Sequence, residues 1–283
     1  MDGAVGSPHQ SGPGSPVFIG RRVEVASIEQ FLRSVRNGHV AMAVVEAEAG
    51  AGKTSLLRHI ATEVAGPAGF TIFSADGDPN DSRALRCITE SLGCRPTSAD
   101  PTRARVADLL RSSTTTGGVT SAVQELVLEI IERASIEAPT VLLIDDLQWV
   151  DAASLSLVGS LLRRMRGTPF GVLAATRPSN QVRAALAPFG VHHVTLGRLD
   201  DDEFAELTWL HSGSMPTAEL LVSLEPVRSN LFMLSMLARA PTQTIASGVP
   251  PRRSGCSPRA SNLSSGPCWN WRPSEVVRSM SMR

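Results

Sequence analysis

The chain has 283 residues, and its 27 basic side chains balance its 27 acidic ones. A chain of this length can bury a sizeable core, and a hydrophobic fraction of 42% excludes a globally disordered protein. No apolar run approaches the roughly 18 residues that a membrane span needs, and no secretory signal is readable. The four cysteines have no metal-ligand spacing. These features predict a cytoplasmic protein with reduced thiols and no membrane partner.

The balanced charge is unevenly distributed along the chain. Residues 1–16 are mostly Gly, Pro and Ser, which predicts a disordered leader. Residues 241–283 contain six arginines and a single acid, Glu275, so the rest of the chain is net acidic. This last stretch shows no helical or strand periodicity. It is therefore predicted to be a disordered basic tail.

Apolar runs alternate with amphipathic segments through the body of the chain. Strands are predicted at 40–45, 70–75, 141–144, 170–175 and 191–196, with helices at 53–64, 119–134 and 151–166. This alternation predicts a three-layer α/β sandwich with a parallel five-stranded sheet. Three further predicted helices, at 201–210, 217–224 and 231–238, form a small, incomplete helical lid. The predicted domains are thus a core at 17–199 and a partial lid at 200–240.

The segment between the first predicted strand and helix contains a glycine-rich loop. Residues 47–54 read AEAGAGKT, which is a P-loop pattern with alanine at the first glycine position. Small residues let backbone N–H groups curve around phosphate oxygens, and the chain's single lysine reaches the β- and γ-phosphates. The predicted nucleotide-binding residues here are Gly50, Ala51, Gly52, Lys53, Thr54 and Ser55. The alternative is a plain strand–turn–helix connection.

Two acidic residues, Asp145 and Asp146, directly follow the apolar strand at 141–144. Ligands of open α/β sheets bind at the carboxyl ends of the strands. We therefore expect Thr54 and Asp145 to hold Mg²⁺, and Asp146 to orient or deprotonate the attacking water as a catalytic residue. The alternative is a pair of turn or N-cap residues. Asp151 precedes an apolar helix and is predicted to be its N-cap.

Four segments occur in an order that resembles a known family. They read FIGRRVE at 18–24, the P-loop, LLIDDLQWVD at 142–151 and ATRP at 175–178. Together they resemble the AAA+/STAND P-loop ATPase module, or Orc1-like AAA ATPase domain, of large LuxR-type bacterial transcriptional regulators. The resemblance covers about residues 17–240.

The resemblance implies ATP and Mg²⁺ as cofactors, and it adds three site residues. Gly20 and Arg21 would lie against the base and ribose, and Arg177 would act as a catalytic sensor of the γ-phosphate. The alternative for the segment from Gly20 to Glu24 is a charged helix start, and for Arg177 a solvated turn residue. No guanine-reading motif is visible, so the choice of ATP rests on the resemblance.

The chain also departs from the pattern of this family. Arg22 stands where the family has an acid, and the segment 229–232 resembles a Gly-Asn-Pro-Phe lid segment without its glycine and proline. Family members continue past a Gly-Val-Pro-Pro segment into a winged helix, helical repeats and a helix-turn-helix. Here the pattern is lost after Pro251, so we expect a frameshift or truncation and no DNA-binding domain in this chain.

The sequence supports three functional hypotheses. The first is an ATP-binding, slowly hydrolysing switch module of a signalling or transcriptional regulator, and the resemblance suggests self-association through this module. The second is a nucleotide-binding module without catalysis. The third is the remnant of a truncated regulator without an effector domain.

Overall fold

The computed structural model describes residues 18–39, 41–81, 83–112 and 118–239. The predicted leader at 1–16, the predicted tail at 241–283 and the expected break near Pro251 lie outside these ranges.

Five strands form one parallel sheet. They are β1 (Ala41–Glu46), β2 (Thr71–Asp76), β3 (Thr140–Asp145), β4 (Phe170–Thr176) and β5 (Val191–Thr195). The strand order is β2-β3-β4-β1-β5, and every neighbouring pair is parallel. Each strand begins and ends within one residue of its predicted bounds. The predicted parallel five-stranded sheet is confirmed.

Ten α-helices lie in the described ranges. They are α1 (Arg22–Arg36), α2 (Lys53–His59), α3 (Arg86–Ser91), α4 (Pro101–Ser112), α5 (Gly118–Glu137), α6 (Ala152–Arg164), α7 (Asn180–Leu186), α8 (Asp201–Ser212), α9 (Ala218–Leu224) and α10 (Leu231–Ala238). The helix predicted over 53–64 is confirmed, and it has two parts, because α2 ends at His59 and a π-helical segment, Ile60–Ala65, continues it. Asp151 caps α6 by accepting a hydrogen bond from the Ser154 N–H at 2.9 Å, which confirms that prediction.

Alternating strand residues bury the two faces of the sheet. Met42 and Val44 of β1 face the side covered by α3 to α7, whereas Ala43 and Val45 face α1 and α2. All four side chains are buried, as expected for a central strand of a parallel sheet. The result is the predicted three-layer α/β sandwich.

The last three helices form a separate small cluster. Phe204 and Leu207 of α8 pack with Leu224 and Leu234 of the next two helices. None of the helices in the described ranges combines the length and the apolar character that a membrane-spanning helix requires.

The strand order decides which residues meet at the carboxyl edge of the sheet. β4 lies between β1, which leads into the P-loop, and β3, which leads into the two acids. Thr176 at the end of β4 pairs in register with Glu46 of β1, and Ile144 of β3 pairs with Ala174. The end of β4 therefore lies between the P-loop and the acids.

Candidate functional site

The P-loop joins β1 to α2 with two glycines in the left-handed region. Gly50 has φ 81° and Gly52 has φ 93°. Ala47 is not among the described residues with positive φ, so alanine fits this position without strain. Gly52 precedes α2 and supplies no capping side chain. The first N–H groups of α2 therefore remain available to an anion, which is the arrangement that a phosphate needs.

Lys53 is the first residue of α2, and it is buried at 7% exposure. Its Nζ donates hydrogen bonds to the Ala47 carbonyl at 2.8 Å and the Glu48 carbonyl at 2.9 Å. Burial lowers the pKa of Lys53, and the carboxylates of Asp146 and Asp145 oppose that effect. The ammonium group thus lies on the P-loop, within electrostatic range of both predicted acids.

Asp145 ends β3 and meets the P-loop through Thr54. The Thr54 hydroxyl lies close enough to the Asp145 carboxylate to lower its pKa. Burial of Asp145 acts in the opposite direction and is the larger effect, so the pKa is raised. A hydroxyl and a carboxylate are oxygen ligands of the kind that Mg²⁺ takes. The two residues predicted to hold Mg²⁺ therefore lie together and fit that ion chemically.

Asp146 follows Asp145 with a left-handed backbone, with φ 47° and ψ 48°. Its N–H donates to Asp145 Oδ1 at 2.9 Å, and its own Oδ1 accepts a hydrogen bond from Gln148 Nε2 at 2.7 Å. Aspartate tolerates this conformation better than most residues. The two adjacent acids consequently have different partners, as their different predicted roles require.

Arg177 follows β4 and has an exposed side chain. Its backbone N–H donates to Gln148 Oε1 at 3.0 Å. Its guanidinium charge lowers the pKa of Lys53, so the two cations lie within electrostatic range of each other. The structure thus brings Arg177 to the same edge as Lys53, and its role as a γ-phosphate sensor stays a prediction.

Comparison with protein families identifies the core. Residues 17–173, more than half of the chain, match the AAA ATPase domain. The chain belongs to the AAA ATPase domain family. Membership implies a nucleotide site, and the matched range contains the P-loop and both acids.

Several solved structures are similar to this AAA domain. A STAND (signal transduction ATPase with numerous domains) protein with a tetratricopeptide repeat sensor from Pyrococcus horikoshii is 20% identical, with a TM-score of 0.49, over 83% of this chain and 32% of its own. Cdc6p from Pyrobaculum aerophilum is 14% identical, with a TM-score of 0.49, and the match covers 78% of this chain and 62% of Cdc6p. The Orc1 protein from Aeropyrum pernix, in complex with DNA, is 14% identical, with a TM-score of 0.47, and the match covers 82% of this chain and 65% of Orc1. The chain thus spans less than two thirds of each. No curated protein matches in sequence.

Residues 18–24, here called the arm, connect the core of the AAA domain to the lid. The Phe18 ring stacks on His59 of α2 at 4.3 Å, whereas Ile19 packs against the apolar cluster of the lid. Gly20 has φ 79°, and a Cβ there would lie 3.1 Å from the Glu203 side chain of α8. Glycine therefore suits this position both by conformation and by space.

Arg21 of the arm is buried at 2% exposure. Its Nη1 donates to Glu24 Oε1 at 3.1 Å and to the Gly197 carbonyl at 2.8 Å. Its Nη2 donates to the Ala51 carbonyl of the P-loop at 3.5 Å. The guanidinium therefore links the arm to the P-loop, and direct contact between Arg21 and a nucleotide stays a prediction. The charged helix start was also a correct interpretation, because α1 begins at Arg22.

The lid contacts the P-loop through the start of α10. Asn230 Nδ2 donates to the Ala49 carbonyl at 3.3 Å, and the Phe232 N–H donates to the Gly50 carbonyl at 3.1 Å. A Cβ at Gly50 would overlap the Asn230 amide. The segment 229–232 thus lies on the phosphate loop of this AAA domain without the family's glycine and proline.

Glu203 is a residue of this region that sequence reasoning missed. Its Oε1 accepts a hydrogen bond from the Arg22 N–H at 3.2 Å, and its Oε2 accepts one from the Asp200 N–H at 3.3 Å. Asp200 and Glu203 also form a capping box at the start of α8. The Asp-x-x-Glu spacing before a helix was the readable signal. It indicates a cap, but it does not indicate that Glu203 holds the arm.

We expect Glu203→Ala to lower the free energy of unfolding by about 1–2 kcal/mol, because it removes a cap and leaves the Arg22 N–H without an acceptor. Urea titration measures this loss. Glu206→Ala is the matched control, because Glu206 lies on the same helix and reaches Arg22 only by an ion pair of 3.6 Å between exposed side chains, which contributes little to stability. Equal stability of the two variants would contradict the anchoring role of Glu203.

Proposed function

We propose that the chain is an ATP-binding switch module that hydrolyses ATP slowly. The observation that carries the proposal is the meeting of Lys53, Thr54, Asp145 and Asp146 at the carboxyl edge of the sheet. A second observation supports the switch, because the lid rests on the same phosphate loop.

ATP binding would use the backbone amides from Gly50 to Ser55 around the phosphates. Lys53 would exchange its two carbonyl acceptors for β- and γ-phosphate oxygens. Thr54 and Asp145 would hold Mg²⁺, which when bound neutralises charge on the phosphate oxygens. Gly20 and Arg21 would support the base and ribose from the arm.

In hydrolysis, Asp146 would orient the attacking water and accept its proton. A bond forms between the water oxygen and the γ-phosphorus. The bond between the γ-phosphorus and the oxygen that bridges it to the β-phosphate breaks, and ADP leaves. Lys53 and Arg177 would stabilise the negative charge that the transferring phosphoryl group carries. All of these residues lie at one edge of the sheet, so they could act together in one reaction.

The switch would arise from the lid contacts. Asn230 and Phe232 bond to carbonyls of the same loop whose amides would face the phosphates. A ligand that prefers one loop conformation shifts the population of lid positions that fit it. We place this switch in the cytoplasm, in a signalling or LuxR-type transcriptional regulator, with nucleotide as ligand and with self-association through the ATPase module.

A nucleotide-binding module without catalysis is the second candidate. It is favoured by the pairing of Lys53 with two loop carbonyls and by the lid segment against the P-loop.

We expect Thr54→Val to raise the Mg²⁺ concentration for half-maximal ATP hydrolysis about tenfold or more, because ligand loss weakens metal affinity. Chelation of Mg²⁺ should abolish hydrolysis in the wild type. Phosphate release across a Mg²⁺ titration measures both effects. Thr62→Val is the control, since Thr62 is exposed and bonds only the Arg58 carbonyl. Hydrolysis in the wild type that is independent of Mg²⁺ would refute the proposed use of Thr54 and Asp145.

A further inference from the structure

Gln148 joins the two sides of the candidate site. It lies in the short 3₁₀ turn Leu147–Trp149 that follows the acids, and it is half-buried. Its Nε2 donates to Asp146 Oδ1 at 2.7 Å. Its Oε1 accepts a hydrogen bond from the Arg177 N–H at 3.0 Å. The same oxygen lies 3.1 Å from the Thr176 hydroxyl, whose single proton is shared between Gln148 Oε1 and the Arg177 carbonyl.

The chemistry of these partners defines the orientation of the amide. The Asp146 carboxylate can only accept, so it must face the NH₂ group of Gln148. The Arg177 N–H can only donate, so it must face the carbonyl oxygen. A carboxylate or a hydroxyl at position 148 could not satisfy both sides in the same way. Glutamine has the donor and the acceptor that this bridge needs.

Asp146 and Arg177 lie on different strand connections. Asp146 follows β3, and Arg177 follows β4, which lies between β3 and the P-loop strand. The Gln148 side chain links the loop after β3 directly to the loop after β4. Its Nε2 bonds to Oδ1 of Asp146, which leaves Oδ2 for a second partner such as water.

We propose that Gln148 is a positioning residue that couples the orientation of Asp146 to the position of Thr176 and Arg177. A γ-phosphate that draws Arg177 inward then also moves Gln148, and Gln148 aligns the acid with the attacking water. The inference rests on the proposed function, because it assigns Gln148 a part in the hydrolysis by Asp146. The proposed roles of the P-loop and the two acids do not by themselves include a hydrogen-bonded bridge through Gln148.

The experiment compares steady-state ATP hydrolysis and ATP affinity in the wild type and in Gln148→Ala, Gln148→Glu and Thr176→Val. Gln148→Glu keeps the size and the acceptor of the side chain but removes the donor to Asp146. We expect both Gln148 variants to lower kcat about tenfold or more, with KM and ATP affinity within about threefold. Gln30→Ala, on the exposed face of α1, is the matched control and should keep the wild-type kcat.

The coupling itself is tested by a double-mutant cycle and by hydrogen exchange. Thr176→Val should add little to Gln148→Ala, because both changes break the same bridge. Exchange of the Arg177 backbone amide should become faster in Gln148→Ala, and also in Asp146→Ala, where the partner of Gln148 is lost. A purely structural role would not link Asp146 to the Arg177 amide.

Two outcomes would overturn the inference. One is a Gln148→Glu variant with the wild-type kcat, and the other is an Arg177 amide whose exchange is unchanged by Asp146→Ala. If the wild type binds ATP but does not hydrolyse it, the proposed hydrolysis fails. The amide exchange then decides the coupling by itself, so the two failures are distinguishable.

Discussion

Lys53→Ala is expected to weaken ATP binding about 100-fold or more, because removal of one partner from a buried, hydrogen-bonded charge contact costs several kcal/mol. The ammonium is buried at the P-loop and lies near the predicted metal ligand Asp145. Equilibrium titration with ATP in the presence of Mg²⁺ measures the loss. Lys53→Arg should not restore the affinity, because a planar guanidinium does not fit a site shaped for a point charge.

The matched control for Lys53 is Arg58→Ala. Arg58 carries the same charge on the same helix, but its side chain is exposed. We expect this variant to bind ATP within about twofold of the wild type, because exposed charges are screened by salt and water. Similar losses in Lys53→Ala and Arg58→Ala would indicate general electrostatics rather than a phosphate ligand.

Asp146→Asn is expected to reduce ATP hydrolysis about 100-fold or more, because an amide cannot accept the proton of the attacking water. ATP affinity should stay within about threefold, since Asp146 is not among the predicted phosphate or metal ligands. Single-turnover hydrolysis with radiolabelled ATP measures the chemical step. This variant separates the switch that hydrolyses ATP from the module that only binds it.

The control for Asp146 is Asp108→Asn, which changes an acid on the surface of α4 with 62% of its side chain exposed. It should hydrolyse ATP at the wild-type rate. An Asp146→Asn variant as active as this control would remove Asp146 from the mechanism and leave water activation to another group.

The five strands and the phosphate loop were predictable because their signals are local. Continuous apolar runs indicate buried parallel strands, and the motif at 47–54 joins one of them to a helix. Asp145 was likewise predictable, because a carboxylate after an apolar strand must emerge at the carboxyl edge. The helix α1 was missed, although Ile28, Phe31 and Val35 recur at helical spacing and are all buried.

The contacts between distant segments were not predictable. Gln148 bonds to Thr176 across 28 positions, and Asn230 bonds to Ala49 across 181. No periodicity or spacing encodes such pairs, because they depend on the strand order and on how the lid packs. The segment 229–232 lacks the glycine and proline of the family pattern, and so the sequence did not indicate a contact there. The hydrogen bonds to the P-loop are nevertheless made, because they use the Asn230 side chain and the Phe232 backbone.

The most direct test of ATP binding by this AAA domain is an equilibrium titration of the wild-type chain with ATP and Mg²⁺. We expect saturable binding of one ATP per chain, competition by ADP, and weakening of this binding about 100-fold or more in Lys53→Ala. The absence of saturable ATP binding by the folded wild-type chain would contradict the proposed function.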